Sequence, residues 1–307
     1  MIDILSKRYV YFIASVLVII PGLIVLFTGG LPLSIDFTGG SLLEVQLSAG
    51  QTLSTEAMQN IYENAGIDDA QIQTTENGTL LIRSSFLTNE NRDVVLSSMK
   101  SQTGSDVIVI RFDSVGPSIG SQVASRAAQA VGIAALAVAL FIRYVFRNVP
   151  NAFRYGVCAI IAMVHDVAIV FSVVGIGAKL FDWQIDALFL TALLTVIGFS
   201  VQDKVVVFDR IRENSNIFRR LNYETLVNHS IVQTLQRSIN TQLMTVEFLL
   251  LALALYGGVT LQEFAVILLV GLFSGTYSSI FIAASILVVW ENREWQNWFR
   301  KPKQSQA

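Results

Sequence analysis

Apolar positions in this chain come mostly in long unbroken runs. The first covers residues 9–27, close to the ~20 residues a helix needs to cross a hydrocarbon core of about 30 Å. Five more follow at about 122–142, 153–177, 185–208, 234–256 and 262–289. Six such runs predict an α-helical membrane protein with six transmembrane helices. The first run is longer than the apolar stretch of a signal peptide and reads as an uncleaved first span. Pro21 lies inside it and predicts a kink of the kind membrane helices tolerate.

Between the first and second runs the period changes. Residues 42–47 alternate apolar and polar as a half-buried strand does. Residues 55–64 have helical spacing, with Gly66 suited to the helix end. Residues 71–75 read as a short strand with Ile72 inward. Asn77-Gly78 signals a hairpin, because a type I′ turn needs positive φ at both central positions. Residues 80–84 return as a strand, 89–101 form a helix with Val94, Val95 and Met99 apolar, and 106–112 close as a strand. The order β-α-β-β-α-β is the split βαβ pattern, so the expectation is one small α+β ferredoxin-like domain outside the bilayer. It has no histidine or cysteine and no enzyme constellation, which suits a binding or transmitting module. The expected partition is residues 1–30 as N-terminus and first span, 31–118 as the outer domain, 119–290 as a five-helix bundle and 291–307 as a basic tail.

Composition agrees with the pattern. Hydrophobic residues make up 53% and charged residues 14%, against roughly 45–50% and about 25% in soluble domains. A net charge of −2 gives no field for nucleic acid. The single cysteine, Cys158, sits inside an apolar run and reads as a small buried residue, with no metal-type cluster around it in the sequence. Basic residues fix the orientation. Lys7 and Arg8 precede the first span. Arg143, Arg147 and Arg154 lie between spans two and three; Arg210, Arg212, Arg219 and Arg220 lie between four and five; Arg293, Arg300, Lys301 and Lys303 follow the sixth. All these fall on one side, so both termini are expected in the cytoplasm. The segment 31–118, with eleven acids against four bases, is expected on the other side. Arg126, near the outer end of span two, can snorkel to the interface.

Charges inside the spans are the candidate chemistry, because a buried ion needs a partner or a proton. The apolar stretch 187–201 is too short to cross, so span four must include Asp203. Span five must likewise take in Arg237 and Thr241, which lie one turn apart on one face. Asp203 and Arg237 come to similar depth on adjacent antiparallel helices. Two readings are open: a protonatable pair that lets the helices shift, or a static salt bridge that fixes their packing. Lys204 can pair with Asp203 locally or snorkel inward. His165 and Asp166 lie about ten residues into span three, as a relay or as a histidine bonded to a neighbouring helix. Their side chains point about 100° apart and do not form a metal site together. Glu247 is a further acid without an assigned role. Gly271 and Gly275 form a small-xxx-small pair that predicts a close helix contact.

Four segments together carry a resemblance. Ser34-Ile35-Asp36-Phe37-Thr38-Gly39-Gly40, just after the first span, is similar to the D-F-T-G-G signature of the SecD/SecF family of bacterial protein-export subunits. Val164-His165-Asp166-Val167 resembles its span-three motif. The stretch from Val206 to Asn214 is similar to the SecF form of the span-four motif, and that from Thr234 to Thr241 resembles the span-five segment. The resemblance implies membership of a wider superfamily of proton-driven permeases. It implies an auxiliary subunit that pairs with SecD, associates with the SecYEG channel, and uses the proton gradient to draw a preprotein outward after SecA has pushed it, with no cofactor. The family's intramembrane acid, arginine and hydroxyl fall on Asp203, Arg237 and Thr241, and Asp36 falls on a hinge or anchor beside glycines that permit a tight approach. Relatives commonly have Asn-Asp-Thr where this chain has Gln202-Asp203-Lys204, so a cation stands beside the acid. The rival readings are a stand-alone proton-coupled exporter of small molecules and a passive scaffold subunit. No triad order, metal spacing or phosphate loop in the sequence supports an enzyme.

Overall fold

The computed structural model describes residues 3–47, 53–74, 78–104, 106–147, 151–256 and 259–296. Asn77, Gly257, Gly258, the side chain of Glu247 and the tail with Arg300, Lys301 and Lys303 lie outside the described residues. The chain divides into two compact units, one of residues 1–32 with 131–307 and the other of residues 33–130.

In the second unit a one-turn helix α2 (Ile35–Thr38) leads into β1 (Gly40–Leu47), α3 (Thr55–Asn64), β2 (Gln71–Thr74), β3 (Leu80–Ser84), α4 (Asn89–Thr103) and β4 (Val107–Val115). Neighbouring strands pair antiparallel in the order β2-β3-β1-β4. Local chemistry sets the helix limits. Ser54 and Thr88 accept from the backbone N–H groups of Ala57 and Asn91 as N-caps. Gly66 (φ +78°) and Gly104 (φ +65°) end α3 and α4 in the left-handed region. Leu43, Val45 and Ile82 from the sheet meet Met58, Ile61, Tyr62, Val95 and Met99 from the helices in one core. Val94, expected on the apolar face of α4, is instead 52% exposed. On a helix its neighbour Val95 lies 100° away, and only that direction meets the sheet.

The first unit holds α1 (Arg8–Gly29), the C-terminal part of α5 (Pro117–Val145), α6 (Ala152–Phe181), α7 (Ala187–Ile217), α8 (Tyr223–Tyr256) and a last long helix. That helix comprises α9 (Val259–Tyr277), a π-helical turn (Ser278–Ala283) and α10 (Ala284–Glu291). Among the described residues five helices are long and apolar enough to cross a membrane: Leu5–Gly29, Pro117–Val145, Ala152–Phe181, Ala187–Ile217 and Leu261–Glu291. Helix α8, expected as the sixth, is 34 residues long.

Several helices outrun their apolar stretches. α7 continues nine residues past Phe208, and α8 begins at Tyr223 rather than near residue 234. Side-chain bonds hold these polar ends together: buried Asn214 donates to Ser230 Oγ (2.8 Å) and Gln233 Oε1 (2.9 Å). Close by in sequence, Phe208 is fully buried against Phe146 and Tyr155. Arg8 donates to Glu224 (2.7 Å) and Glu294 (2.7 Å), which ties the start of α1 to the start of α8 and to the segment after α10.

Small residues let the helices approach. A Cβ on Gly22 would lie 2.0 Å from the Ser172 carbonyl oxygen, and one on Gly175 would lie 2.5 Å from that of Gly22. The α1–α6 contact therefore admits no side chain at either position. Gly175→Val is expected to lower the thermal midpoint in detergent, with an overpacking cost of about 1–3 kcal/mol. Gly132→Ala, inside α5 where an added Cβ would meet no atom within 4 Å, is expected not to lower that midpoint.

Candidate functional site

The candidate site lies within the first unit, where α6, α7, α8 and the last helix meet. Its closest contact begins with the small pair on the last helix. A Cβ on Gly271 would lie 2.2 Å from Val196, and one on Gly275 would lie 3.3 Å from the Cα of Ser200, so α9 presses against α7. The expected close contact is present, and it brings Ser200, Ser274 and Ser278 around one acid, Asp166 of α6.

Asp166 is fully buried and accepts from five groups. Its Oδ2 takes Ser200 Oγ (2.6 Å), Ser278 Oγ (2.7 Å) and Lys204 Nζ (2.7 Å). Its Oδ1 takes Ser274 Oγ (2.7 Å), and His165 Nδ1 lies 3.1 Å away. Lys204 is 0% exposed. Its ammonium also donates to the hydroxyl and, at 3.2 Å, to the carbonyl of Ser200, one turn back on α7. Three donors thus find three acceptors, and the ion pair is saturated. Neither sequence alternative for Lys204 holds: its ammonium bonds Asp166 and Ser200 rather than Asp203, and it does not snorkel inward to the interface. At one residue further along α7 its side chain points about 100° away from that of Asp203, toward α6.

Asp203 has a different environment. It is half-buried and accepts from Ser238 Oγ of α8 (2.8 Å) and from Ser279 Oγ of the π turn (2.5 Å). Among the described residues no ion pair joins Asp203 to Arg237. The Ser238 side chain is buried and occupies the face of α8 turned to α7, and Arg237, its neighbour, is exposed. Thr241 is exposed as well, and its hydroxyl donates to the Arg237 carbonyl (2.9 Å). The geometry therefore brings Asp203 together with two serines and leaves the arginine one helical step away.

The π turn supplies one hydroxyl to each acid. Successive residues of the last helix, Ser278 and Ser279, bond to Asp166 and to Asp203 respectively. π-helical turns inside α-helices are rare and occur frequently at functional sites. His165, the other relay candidate, stacks on Tyr277 at the start of that turn (centroids 6.2 Å apart, planes at 26°). The Tyr277 hydroxyl donates to the Tyr11 carbonyl of α1 (3.0 Å), and the His165 Nε2 is buried with no hydrogen-bond partner. Among the described residues no group of His, Cys, Asp and Glu side chains could hold a metal ion.

Sequence reading named Lys204 but missed Asp166 as its partner, and it missed the serines. Lys204 carried a signal, since a lysine inside a span is expensive and needs a named partner. The serines carried none, because hydroxyls are ordinary in membrane helices.

In the second unit the signature around Asp36 forms a tight corner. Ser34 Oγ caps the one-turn helix by accepting from Asp36 N–H (3.2 Å), Thr38 Oγ1 donates to the Ser34 carbonyl (3.0 Å), and Phe37 is buried. Gly39 has φ +74° and Gly40 φ +132°, a region open to glycine. A Cβ at Gly39 would lie 2.7 Å from the Pro117 Cα, and one at Gly40 would lie 2.7 Å from the Ser84 carbonyl oxygen. The paired glycines are thus needed for both conformation and space.

A family model described as protein export membrane protein SecD/SecF, C-terminal, matches residues 95–293, and one for the SecD/SecF GG motif matches residues 24–50. The chain is similar to the protein translocase subunit SecF of Anaerolinea thermophila, at 64% identity over 98% of each chain. It is similar to the subunit of the same name from Thermobaculum terrenum, at 43% identity over 100% of this chain and 99% of that one. Among solved structures it is similar to SecDF, a translocon-associated membrane protein from Thermus thermophilus, with a TM-score of 0.74 and 33% identity over 95% of this chain. The chain spans 39% of the length of that longer protein.

The ion pair leads to a stability prediction. Asp166→Asn leaves a buried ammonium without its counter-charge and is expected to destabilise the protein by about 3–5 kcal/mol. Asp166→Asn combined with Lys204→Met removes both charges and is expected to recover most of that loss, as read by thermal unfolding in detergent.

Proposed function

The chain belongs to the SecD/SecF family of protein-export membrane proteins, and from that premise we propose that it serves as the SecF-type subunit of a preprotein translocase, coupling proton entry to export. It works with SecD and the SecYEG channel, takes up the preprotein after SecA, and sits in the cell membrane with both termini in the cytoplasm. The basic loops named above support that orientation. We take α8 as a sixth span: at 1.5 Å per residue its 34 residues reach about 51 Å, well beyond the hydrocarbon thickness. We take the outer domain as ferredoxin-like, which its strand order β2-β3-β1-β4 supports. It lies on the extracytoplasmic side.

The observation that carries the coupling role is the contrast between the two acids. A serine hydroxyl rotates and can either donate or accept. Ser238 and Ser279 can therefore bond Asp203 in its charged form and, with hydroxyls turned, in its protonated form. Asp166 has no such freedom, because its protonation strands the buried Lys204 ammonium. Asp203 is therefore the group assigned to proton exchange, and Asp166 anchors the helices beside it. His165, against Asp166 and Tyr277, is the relay candidate on the α1 side. Arg237 and Thr241 enter when α8 turns: a rotation of about 100° exchanges Ser238 for Arg237 against a charged Asp203. Proton binding removes the reason for that exchange, and this links charge to helix position.

Identity with translocase subunits along nearly the whole chain favours preprotein export over small-molecule export. The cavity of about 480 Å³ between α5 and α7, lined by residues such as Val138, Phe141, Val201 and Val205, is apolar and offers Gln202 as its polar side chain. The test is export into inverted membrane vesicles under a proton gradient. Asp203→Asn is expected to abolish stimulation by the gradient while the subunit still assembles and ATP-driven export persists. Stimulation that survives the substitution would remove Asp203 from the coupling path.

A further inference from the structure

The ammonium of Lys204 lies in a pocket that has the make-up of a monovalent-cation site. Three oxygen atoms face the ammonium, Asp166 Oδ2 and the hydroxyl and carbonyl of Ser200, and the hydroxyls of Ser274 and Ser278 hold the same carboxylate. The carboxylate supplies one full negative charge, matched by one positive charge. Nζ is in reach of three of these oxygens, and Asp166, Ser200, Ser278 and Lys204 are all fully buried. Three helices contribute, and the Gly275–Ser200 approach brings two of them, α7 and the last helix, into close contact.

We infer that this oxygen cage on α6, α7 and the last helix is a monovalent-cation site occupied by a tethered cation, the Lys204 side chain. Hard oxygen ligands around a single carboxylate suit an ion such as sodium, potassium or ammonium. The tether places a positive charge there permanently, so no free cation enters and the cage carries no ion across the membrane. Residue 204 is then a specificity determinant: with lysine present, ion exchange is confined to Asp203, and with a small neutral residue the cage is open to the solution ion. The inference concerns the pocket alone and holds or fails independently of the export role.

Thermal unfolding of the full chain in detergent tests it, with choline chloride, sodium chloride, potassium chloride and ammonium chloride at equal ionic strength. For Lys204→Ala the midpoint is expected to fall in choline and to rise again by several degrees with one of the small cations, saturating as a single site does. The unsubstituted protein is expected to show the same midpoint in all four salts. The double variant Asp166→Asn with Lys204→Ala, which keeps the hydroxyls but lacks the charge, is expected to be insensitive as well. A Lys204→Ala midpoint that responds to small cations no more than the unsubstituted protein overturns the proposal. If Lys204→Ala accumulates too poorly for unfolding measurements, its folded yield after solubilisation in each salt is the readout. Equal loss in all four salts, with the double variant still accumulating, overturns the proposal too.

Discussion

A carboxylate and an ammonium buried together inside a span leave little freedom to the helices that carry them. Asp166 on α6 and Lys204 on α7 meet at 2.7 Å with almost no exposure on either side. In a low-dielectric interior, removing either charge exposes the other to the full cost of burial. Every neighbour is arranged around that constraint. Ser200 satisfies the ammonium from its own helix, while Ser274 and Ser278 satisfy the carboxylate from the last one. The last helix can supply them only because Gly271 and Gly275 bring it against α7. The anchor and the helix packing are therefore one feature: the glycines permit the approach, and the charges require it.

Beside this fixed pair, Asp203 accepts from two serine hydroxyls, groups that can either donate or accept. It sits next to Lys204 in sequence and points away from it, toward α8 and the π turn. On that turn consecutive serines serve different acids, Ser278 bonding Asp166 and Ser279 bonding Asp203. A shift of the last helix relative to α7 is thus felt by both acids at once.

Much of the architecture was legible from periodicity. The bounds of α3 and β3 match the sequence reading residue for residue, because caps and turn residues mark them: Ser54 and Gly66 for the helix, Gly78 before the strand. Helix ends beyond the apolar runs were not legible, since α7 and α8 extend into polar sequence held by Asn214 and its partners. In the site, the intramembrane acids stood out by the cost of burying charge. Their partners did not. Arg237 was the expected partner of Asp203 because the depths matched, yet depth does not fix azimuth, and one residue's rotation gave that place to Ser238. The π turn at Ser278–Ala283 left no mark in the sequence.

The central claim is a division of labour, with Asp203 exchanging a proton and Asp166 remaining ionised against Lys204. Infrared difference spectroscopy between acidic and alkaline pH reads this most directly, through the carboxyl stretch of a protonated buried acid. The account predicts a band that disappears in Asp203→Asn and persists in the charge-free double variant Asp166→Asn with Lys204→Met. A band that survives Asp203→Asn and is lost with Asp166 would contradict it.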